Sequence, residues 1–253
     1  MKKIVFLHIP KTAGQTVHSE LSRIVGADQT SPVRVHTQAP NDGQFPAGYR
    51  LYSGHLDWDT LDDIGNDRFV FTILRDPFER IASFYFYLHH KSLGLPDSAL
   101  TLPENTGLRK IRHCSIDDYF FGGTKDWQRF ILDHYANFYC AYFATRKIRG
   151  AAALADCSSS EILTKARMGA SQLNRIYSIE NLGTLESDLH QLTGKKAALS
   201  NTRINAGPGS TNTKRWPLLL DRIESDANRQ KLADFAALDV ELMGTLVQNG
   251  LMQ

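Results

Sequence analysis

Two short stretches of the sequence place polar residues directly after apolar runs. The first is FLHIPKTAGQT, Phe6 to Thr16, and the second is TILRDPFERIASFY, Thr72 to Tyr85. Backbone N–H groups at the start of a helix bind phosphate, and a nearby lysine or arginine adds positive charge. Both stretches therefore indicate anion-binding loops.

The first loop departs from the phosphate loop of nucleoside triphosphatases. In that pattern, G-x-x-x-x-G-K-[ST], the lysine directly follows the second glycine. Here Lys11 precedes Gly14 by three residues, and no glycine lies upstream of it. This order argues against a triphosphatase. A lysine and the start of a helix, which together could bind an anion, are nevertheless present. The backbone N–H groups of Ala13 to Thr16, at the start of the next helix, are expected to bind the anion.

The second loop repeats the plan of the first. Arg75 follows a buried strand, and Ser83 lies eight residues later, about two turns into the next helix. Ligands bind at the carboxyl ends of the strands in open parallel sheets, so both loops are expected to face one crevice. Two such loops predict a ligand with phosphate groups at two ends.

The elements that must position these loops alternate along the chain. Two continuous apolar runs, Lys3 to Ile9 and Arg68 to Leu74, are typical of strands buried on both faces. Weaker strands are predicted at Val33–His36, Tyr49–Ser53 and Arg175–Ile179. Helices are predicted from Gly14 until Gly26 ends the helix, and at Phe78–Lys91, Ile116–Arg149 (mostly helical), Ser158–Ser171, Glu180–Leu192 and Leu218–Gln248. A loop is predicted at Leu93–Thr106, and a long functional loop or a disordered segment at Ser200–Trp216. This alternation predicts a three-layer α/β fold, a central mostly parallel sheet flanked by helices, in one domain over residues 1–253.

Composition excludes several classes of protein. With 29 Lys and Arg against 27 Asp and Glu, the net charge is only +2, which argues against a dedicated nucleic-acid binder. The three cysteines show no C-x-x-C spacing, so we expect reduced thiols and no metal site. The N-terminal apolar run is too short for a signal peptide, and no run approaches the length of a membrane span. We therefore expect a cytoplasmic protein.

Together the two loops resemble a known family. HIPKTAGQT with TILRDPFERIASFY is similar to the paired cofactor loops of the sulfotransferases, in the branch of heparan sulfate 2-O-sulfotransferases and many bacterial carbohydrate sulfotransferases. The resemblance covers Ile4–Thr16 and Phe69–Tyr87, and more loosely Arg175–Leu182. It implies a P-loop-like fold and a donor, 3′-phosphoadenosine 5′-phosphosulfate (PAPS), that leaves the bisphosphate PAP. A strand that starts next to Met1 fits the bacterial cytoplasmic enzymes of this branch.

The resemblance also assigns the two loops. It implies that Arg75 and Ser83 bind the 3′-phosphate. It also implies that the 5′-phosphosulfate is bound by the residues of the first loop, namely Lys11, Thr12, Ala13, Gly14, Gln15 and Thr16. Lys214 and Arg215 lie in a polar segment where sulfotransferases often close over the nucleotide. The acceptor is expected to be a hydroxyl of a carbohydrate or glycoconjugate, with a lipid or a small molecule as the alternative. Residues 88–150 would then determine acceptor specificity.

Sulfuryl transfer needs a base for the acceptor hydroxyl and a cation for the leaving phosphate. Lys11 is expected to stabilise the leaving group. His55, in YSGHLD, is expected to act as the base, because a Gly-His pair carries the base in the 2-O-sulfotransferases. That family has a second histidine where this sequence has Ser53. Asp57 and Asp59 are alternative bases, although both are expected to cap a helix around Thr60–Ile64.

Two other classes of function stay open at this point. A kinase would transfer phosphate instead, but the sequence lacks the triphosphatase order and an evident magnesium-binding acid. A non-catalytic nucleotide-binding protein could share the fold, in which case His55 and Lys11 would have no catalytic role.

Overall fold

The computed structural model describes residues 2–39, 41–199 and 214–252. Four strands form one sheet: β1 (Lys3–Leu7), β2 (Leu51–Gly54), β3 (Arg68–Leu74) and β4 (Arg175–Ser178). Their order is β2-β1-β3-β4, and all three pairings are parallel. The α/β class is confirmed, and the sheet that was expected to be mostly parallel is parallel throughout these strands.

Helices flank the sheet. They are α1 (Gly14–Val25), α2 (Pro77–Leu93), α3 (Asp97–Leu100), α4 (Thr106–His113), α5 (Ile116–Phe121), α6 (Lys125–Tyr135), α7 (Phe138–Thr145), α8 (Ser159–Ala170), α9 (Leu182–Thr193), α10 (Arg215–Leu220), α11 (Asp226–Asp234) and α12 (Ala237–Gln248). Short 3₁₀ turns lie at Ala27–Gln29, His36–Gln38, Asn41–Gln44, Leu61–Ile64, Pro103–Asn105 and Ala151–Leu154. Within the described residues, none of the helices combines the length and apolar character needed to cross a membrane.

The two strongest strands are buried on both faces, as their apolar runs predict. Val5 and Val70 pack into a cluster that includes residues of α7, α8 and α12. Phe6 and Phe71 point to the opposite face and pack with residues of α1 and α9. A sheet covered on both faces has few exposed positions, which is why these strands show no alternation of apolar and polar residues.

The register of the sheet brings three loops to one edge. Leu7 lies opposite Gly54 of β2, and Phe6 lies opposite Phe71 of β3. The hydroxyl of Thr72 also donates to the carbonyl oxygen of Leu7 at 2.7 Å. Because the three strands are parallel and adjacent, the loops that follow β1, β2 and β3 all leave the same edge.

Several predicted boundaries were wrong for local reasons. Val33–His36 is not a strand: Val35 makes a single bridge to His55, and the chain then turns at His36–Gln38. The predicted loop at Leu93–Thr106 contains α3, which follows Pro96, and a 3₁₀ turn that begins at Pro103, since proline suits the start of a helix.

The C-terminal helix is divided. The predicted single helix from Leu218 to Gln248 is α10, α11 and α12, with Ser225 capping the start of α11 by accepting from the N–H of Asn228. The predicted loop Ser200–Trp216 is wrong at its end, where Arg215 and Trp216 begin α10. The rest of that prediction, residues 200–213, lies outside the described residues.

Candidate active site

The loop after β1 has an unusual backbone. Lys11 and Ala13 have φ angles of 74° and 63°, in the left-handed region that residues with a side chain rarely adopt. Ala13 is also the N-cap of α1, and an alanine has no side-chain acceptor for the first N–H groups of the helix. Strained residues of this kind concentrate at binding sites. Thr12 faces inward and donates from its hydroxyl to the carbonyl oxygen of Ile9 at 2.8 Å, so its hydroxyl belongs to the loop itself.

Gly14 is required by the side chain of His8. A Cβ atom at position 14 would lie 1.7 Å from His8 Nε2, well inside any allowed contact. The His8 ring is buried and stacks between Phe6 and His55, with ring centroids 5.4 and 4.2 Å away. The His8 ring therefore packs directly against the start of α1, and a glycine at position 14 leaves room for it.

The contact between His8 and Gly14 predicts that a side chain at position 14 destabilises the protein. Gly14→Ala should lower the free energy of unfolding by about 1–3 kcal/mol, the usual cost of overpacking, although alanine is the better helix former. Urea unfolding would measure the loss. The matched control is Gly244→Ala in α12, where an added Cβ would meet no atom within 4 Å. His8→Ala in the Gly14→Ala background should recover part of the loss; a Gly14→Ala protein as stable as the wild type would contradict this packing.

The loop after β3 is held at its backbone by a distant tyrosine. The hydroxyl of Tyr139 donates to the carbonyl oxygen of Arg75 at 2.9 Å and accepts from the N–H of Arg75 at 3.2 Å. Tyr139 is fully buried at the start of α7, where a carboxylate oxygen of Asp239 accepts from its backbone N–H at 3.1 Å. Arg75 therefore lies at a fixed position at the carboxyl edge of β3.

The side chains of the second loop meet the start of α10. Arg75 Nη2 lies 3.3 Å from a carboxylate oxygen of Glu79, one helical turn along α2. Arg215 donates from its guanidinium to the hydroxyl of Ser83 at 3.3 Å. The structure therefore brings Arg215 to Arg75 and Ser83, from which it is distant in sequence. Lys214 is exposed just before α10.

Lys11 lies within electrostatic reach of the same group. Its Nζ is 4.2 Å from the centroid of the Tyr87 ring, a cation–π contact. Partial burial, with the nearby charges of Arg215 and Arg75, lowers the pKa of Lys11 to about 8. Like charges that lower the pKa of a lysine favour the binding of an anion, because the anion relieves their repulsion. Three cations from separate parts of the chain thus converge beside the first loop.

His55 follows β2 at the same edge and is held in one tautomer. Its Nδ1 lies 2.7 Å from the carbonyl oxygen of His8, which can only accept, so Nδ1 carries the hydrogen. The other ring nitrogen, Nε2, is then the basic atom of the neutral ring. Backbone bonds fix the residue on both sides: its N–H donates to Arg34 and its carbonyl accepts from His36. Held in this tautomer, the neutral ring can accept a proton only at Nε2.

The protonation of the two stacked histidines follows from their burial. Burial lowers the pKa of His55 to about 4, and the positive charge of Arg34 acts in the same direction, while the bond to the His8 carbonyl opposes it. Burial and the neighbouring His55 also hold the pKa of His8 well below its ordinary value. Both rings are therefore neutral near pH 7, the state in which an imidazole accepts a proton.

The alternative bases have other partners. Asp57 accepts from the N–H of Ile148 at 2.7 Å, and Asp59 pairs with Lys147 at 3.1 Å. The expectation that these two residues cap a helix at Thr60–Ile64 was wrong, because no side chain caps the 3₁₀ turn that begins at Leu61 in the described structure.

The aromatic residues of α2 lie in two different environments. Phe84 and Tyr85 pack into a core cluster, whereas Tyr87 is half exposed beside Lys11.

The geometry places two basic loops and a neutral histidine at the carboxyl edge of three adjacent strands. A family model described as "Sulfotransferase family" matches residues 1–242. The chain belongs to the sulfotransferase family. The family includes heparan sulfate 2-O-sulfotransferases and carbohydrate sulfotransferases, so the resemblance of the two loops is confirmed at this level. No curated protein matches this sulfotransferase closely enough to count as a relative.

Two residues of this sulfotransferase site were not assigned from the sequence. Glu79 lies between Arg75 and Ser83, and its i+4 spacing to both is a signal that could have identified it. Tyr139 lies 64 residues from Arg75, and nothing in its local sequence indicates the contact. Ser53, in the place of a second family histidine, lies 3.1 Å from His18 Nδ1.

Proposed function

We propose that this sulfotransferase uses PAPS to sulfate a hydroxyl of a carbohydrate or glycoconjugate, and that residues 1–253 form one domain for this reaction. The observation that carries the proposal is the convergence of Lys11, Arg75 and Arg215 beside the start of α1. PAPS carries phosphate at both its 3′ and 5′ ends, and the sulfotransferase family generally uses it as the donor. The residues present therefore fit this ligand.

The two ends of the donor would be bound by different residues. Arg75, which precedes α2, Ser83 on α2 and Arg215 on α10 suit the 3′-phosphate. The backbone from Lys11 to Thr16, at the start of α1, suits the 5′-phosphosulfate. Lys214, exposed at the entrance to α10, would add charge at the periphery of the 3′ end.

The chemistry of the chain then has two parts. PAPS, when bound, supplies the sulfuryl group. His55 accepts the proton of the acceptor hydroxyl at Nε2, since Nδ1 is committed to the His8 carbonyl. Lys11 stabilises negative charge that grows on the leaving phosphate, an interaction stronger in the transition state than in the ground state. The imidazolium formed on His55 returns its proton to water after the products leave.

Acceptor choice is proposed to depend on a part of the chain separate from the two cofactor loops. A carbohydrate or glycoconjugate is favoured by the family branch. Residues 88–150 are proposed to select it, because α4, within this range, packs against α2, the helix that carries Ser83. Incubation with ³⁵S-labelled PAPS and separate panels of sugars, lipids and phenols tests the class. Label transferred to sugars supports the proposal. Transfer confined to lipids or phenols would contradict the carbohydrate class, and no transfer to any panel would contradict the catalytic function.

The lowered pKa of Lys11 makes the binding of PAP depend on pH. Only the protonated lysine attracts phosphate, and its pKa in the free protein is about 8. As the pH rises above 8, free protein loses this proton, so the Kd for PAP should increase by up to about tenfold per pH unit. The phosphates of PAP are already ionised there. Calorimetric titrations between pH 7 and 10 measure the effect.

A matched variant identifies the group responsible. Lys11→Arg keeps a positive charge throughout this range, because an arginine does not lose its proton. Its Kd for PAP should therefore stay nearly constant between pH 7 and 10. The same alkaline weakening in Lys11→Arg as in the wild type would show that another group titrates.

A further inference from the structure

Glu79 contacts both parts of the proposed 3′-phosphate site. One carboxylate oxygen, Oε2, lies 3.3 Å from Arg75 Nη2 and accepts from the backbone N–H of Arg215 at 3.1 Å. The other, Oε1, accepts from the N–H of Trp216 at 2.9 Å. The side chain is 13% exposed, so solvent screens these contacts only weakly.

Glu79 is itself held in place on α2. Its backbone N–H donates to the carboxylate of Asp76, the N-cap of the helix, at 2.9 Å. Trp216 packs against the neighbouring Phe78, with ring centroids 4.9 Å apart. The carboxylate therefore joins the start of α10 to the first turn of α2, and α10 carries Arg215 to Ser83.

We propose that Glu79 is a positioning residue for donor binding: it holds the guanidinium of Arg75 and the first turn of α10 so that Arg75 and Arg215 face one phosphate. The inference rests on the proposed function, because it assigns a role within the 3′-phosphate site. A carboxylate beside a phosphate repels it through space, so a residue that acted by charge alone would weaken binding. A positioning role predicts instead that Glu79 strengthens phosphate binding, so the change in Kd when Glu79 is removed distinguishes the two roles.

The test compares two nucleotides that differ in the place of one phosphate. PAP carries a 3′-phosphate, whereas adenosine 5′-diphosphate carries both phosphates at its 5′ end. Glu79→Ala should raise the Kd for PAP by about tenfold or more, since it releases Arg75 and two N–H groups of α10. The Kd for adenosine 5′-diphosphate should change by less than about twofold, because that ligand does not use the 3′ site. Calorimetric titration measures both.

Two further variants serve as controls. Glu79→Gln keeps an acceptor oxygen for one backbone N–H but loses the ion pair, so its Kd for PAP should lie between those of the wild type and Glu79→Ala. Glu20→Ala removes a comparable glutamate, which accepts from Arg23 at 2.7 Å and from the N–H of Ala198 at 2.8 Å, outside the proposed site. It should leave the affinity for PAP unchanged.

The outcomes separate this inference from the proposed function. A wild-type protein that does not bind PAP would overturn the proposed function and the inference with it. A wild-type protein that binds PAP, with Glu79→Ala binding it equally or more tightly, would overturn the inference alone. An equal rise of the Kd for PAP and of the Kd for adenosine 5′-diphosphate, in both Glu79→Ala and Glu79→Gln, would also overturn the inference. It would indicate a general structural defect, which does not affect recognition of the 3′-phosphate in particular.

Discussion

Replacing His55 by alanine is expected to lower kcat for sulfuryl transfer by about 10²- to 10⁴-fold, the usual contribution of a positioned base. The reason is the fixed tautomer, in which Nδ1 donates to the His8 carbonyl and Nε2 is left to take the proton. The Kd for PAP should stay within about twofold of the wild-type value, because His55 is not among the residues proposed to bind phosphate. Single-turnover rates with labelled PAPS, together with PAP titration, measure the two effects.

His134 is the matched control for this substitution. Burial lowers its pKa to about 4, as for His55, and its Nδ1 donates to a backbone carbonyl, that of Phe130, at 2.8 Å. It belongs to α6, and its ring stacks on Phe84 and Phe130. His134→Ala should therefore lose stability without losing the chemical step. Equal losses of kcat in both variants, or a His55→Ala protein that keeps most of its activity, would place the base elsewhere.

Arg75→Ala should have its main effect on donor binding. Truncating one partner of a buried, hydrogen-bonded charge pair costs about 2–5 kcal/mol of binding free energy, so the Kd for PAP should rise by at least about thirtyfold. At saturating PAPS, kcat should fall much less than in His55→Ala, because Arg75 is proposed to bind the end of the donor that does not react. Initial rates across a range of PAPS concentrations separate the two parameters.

Arg112 provides the comparison. It is similarly buried, 27% exposed against 22% for Arg75, and donates to the backbone carbonyls of Ser92 and Leu95. Arg112→Ala should lower stability and leave PAP affinity intact. If Arg75→Ala bound PAP as tightly as the wild type did, the second loop would not bind phosphate at all.

The sequence predicted the two most apolar strands well because their signals are local. A doubly buried strand must be a continuous apolar run, so β3 was predicted at its observed bounds, Arg68–Leu74. The parallel order of the strands places His55, Lys11 and Arg75 at one edge of the sheet. This placement can be predicted without knowing any contact between these residues. The left-handed backbone at Ala13 had no sequence signal, since alanine does not favour it.

What the sequence could not predict depends on contacts between distant segments. Tyr139 reaches the Arg75 backbone from α7, and Arg215 reaches Ser83 across 132 residues. In the RDPFER stretch, Arg80 resembles a binding residue by type but is buried, with its guanidinium 3.9 Å from the Phe138 ring centroid and a bond to the carbonyl of His134. The sequence alone does not show that Arg80 is buried, so it does not distinguish this structural arginine from Arg75.

The most direct test of the account is a thermal unfolding comparison with PAP and with ATP plus magnesium. The convergence of Lys11, Arg75 and Arg215 predicts recognition of a nucleotide with phosphate at both ends, so PAP at about 100 times its Kd should stabilise the protein by about 2.7 kcal/mol. ATP with magnesium should shift the midpoint far less at the same concentration. Stabilisation by ATP with magnesium and none by PAP would contradict the sulfuryl-transfer account.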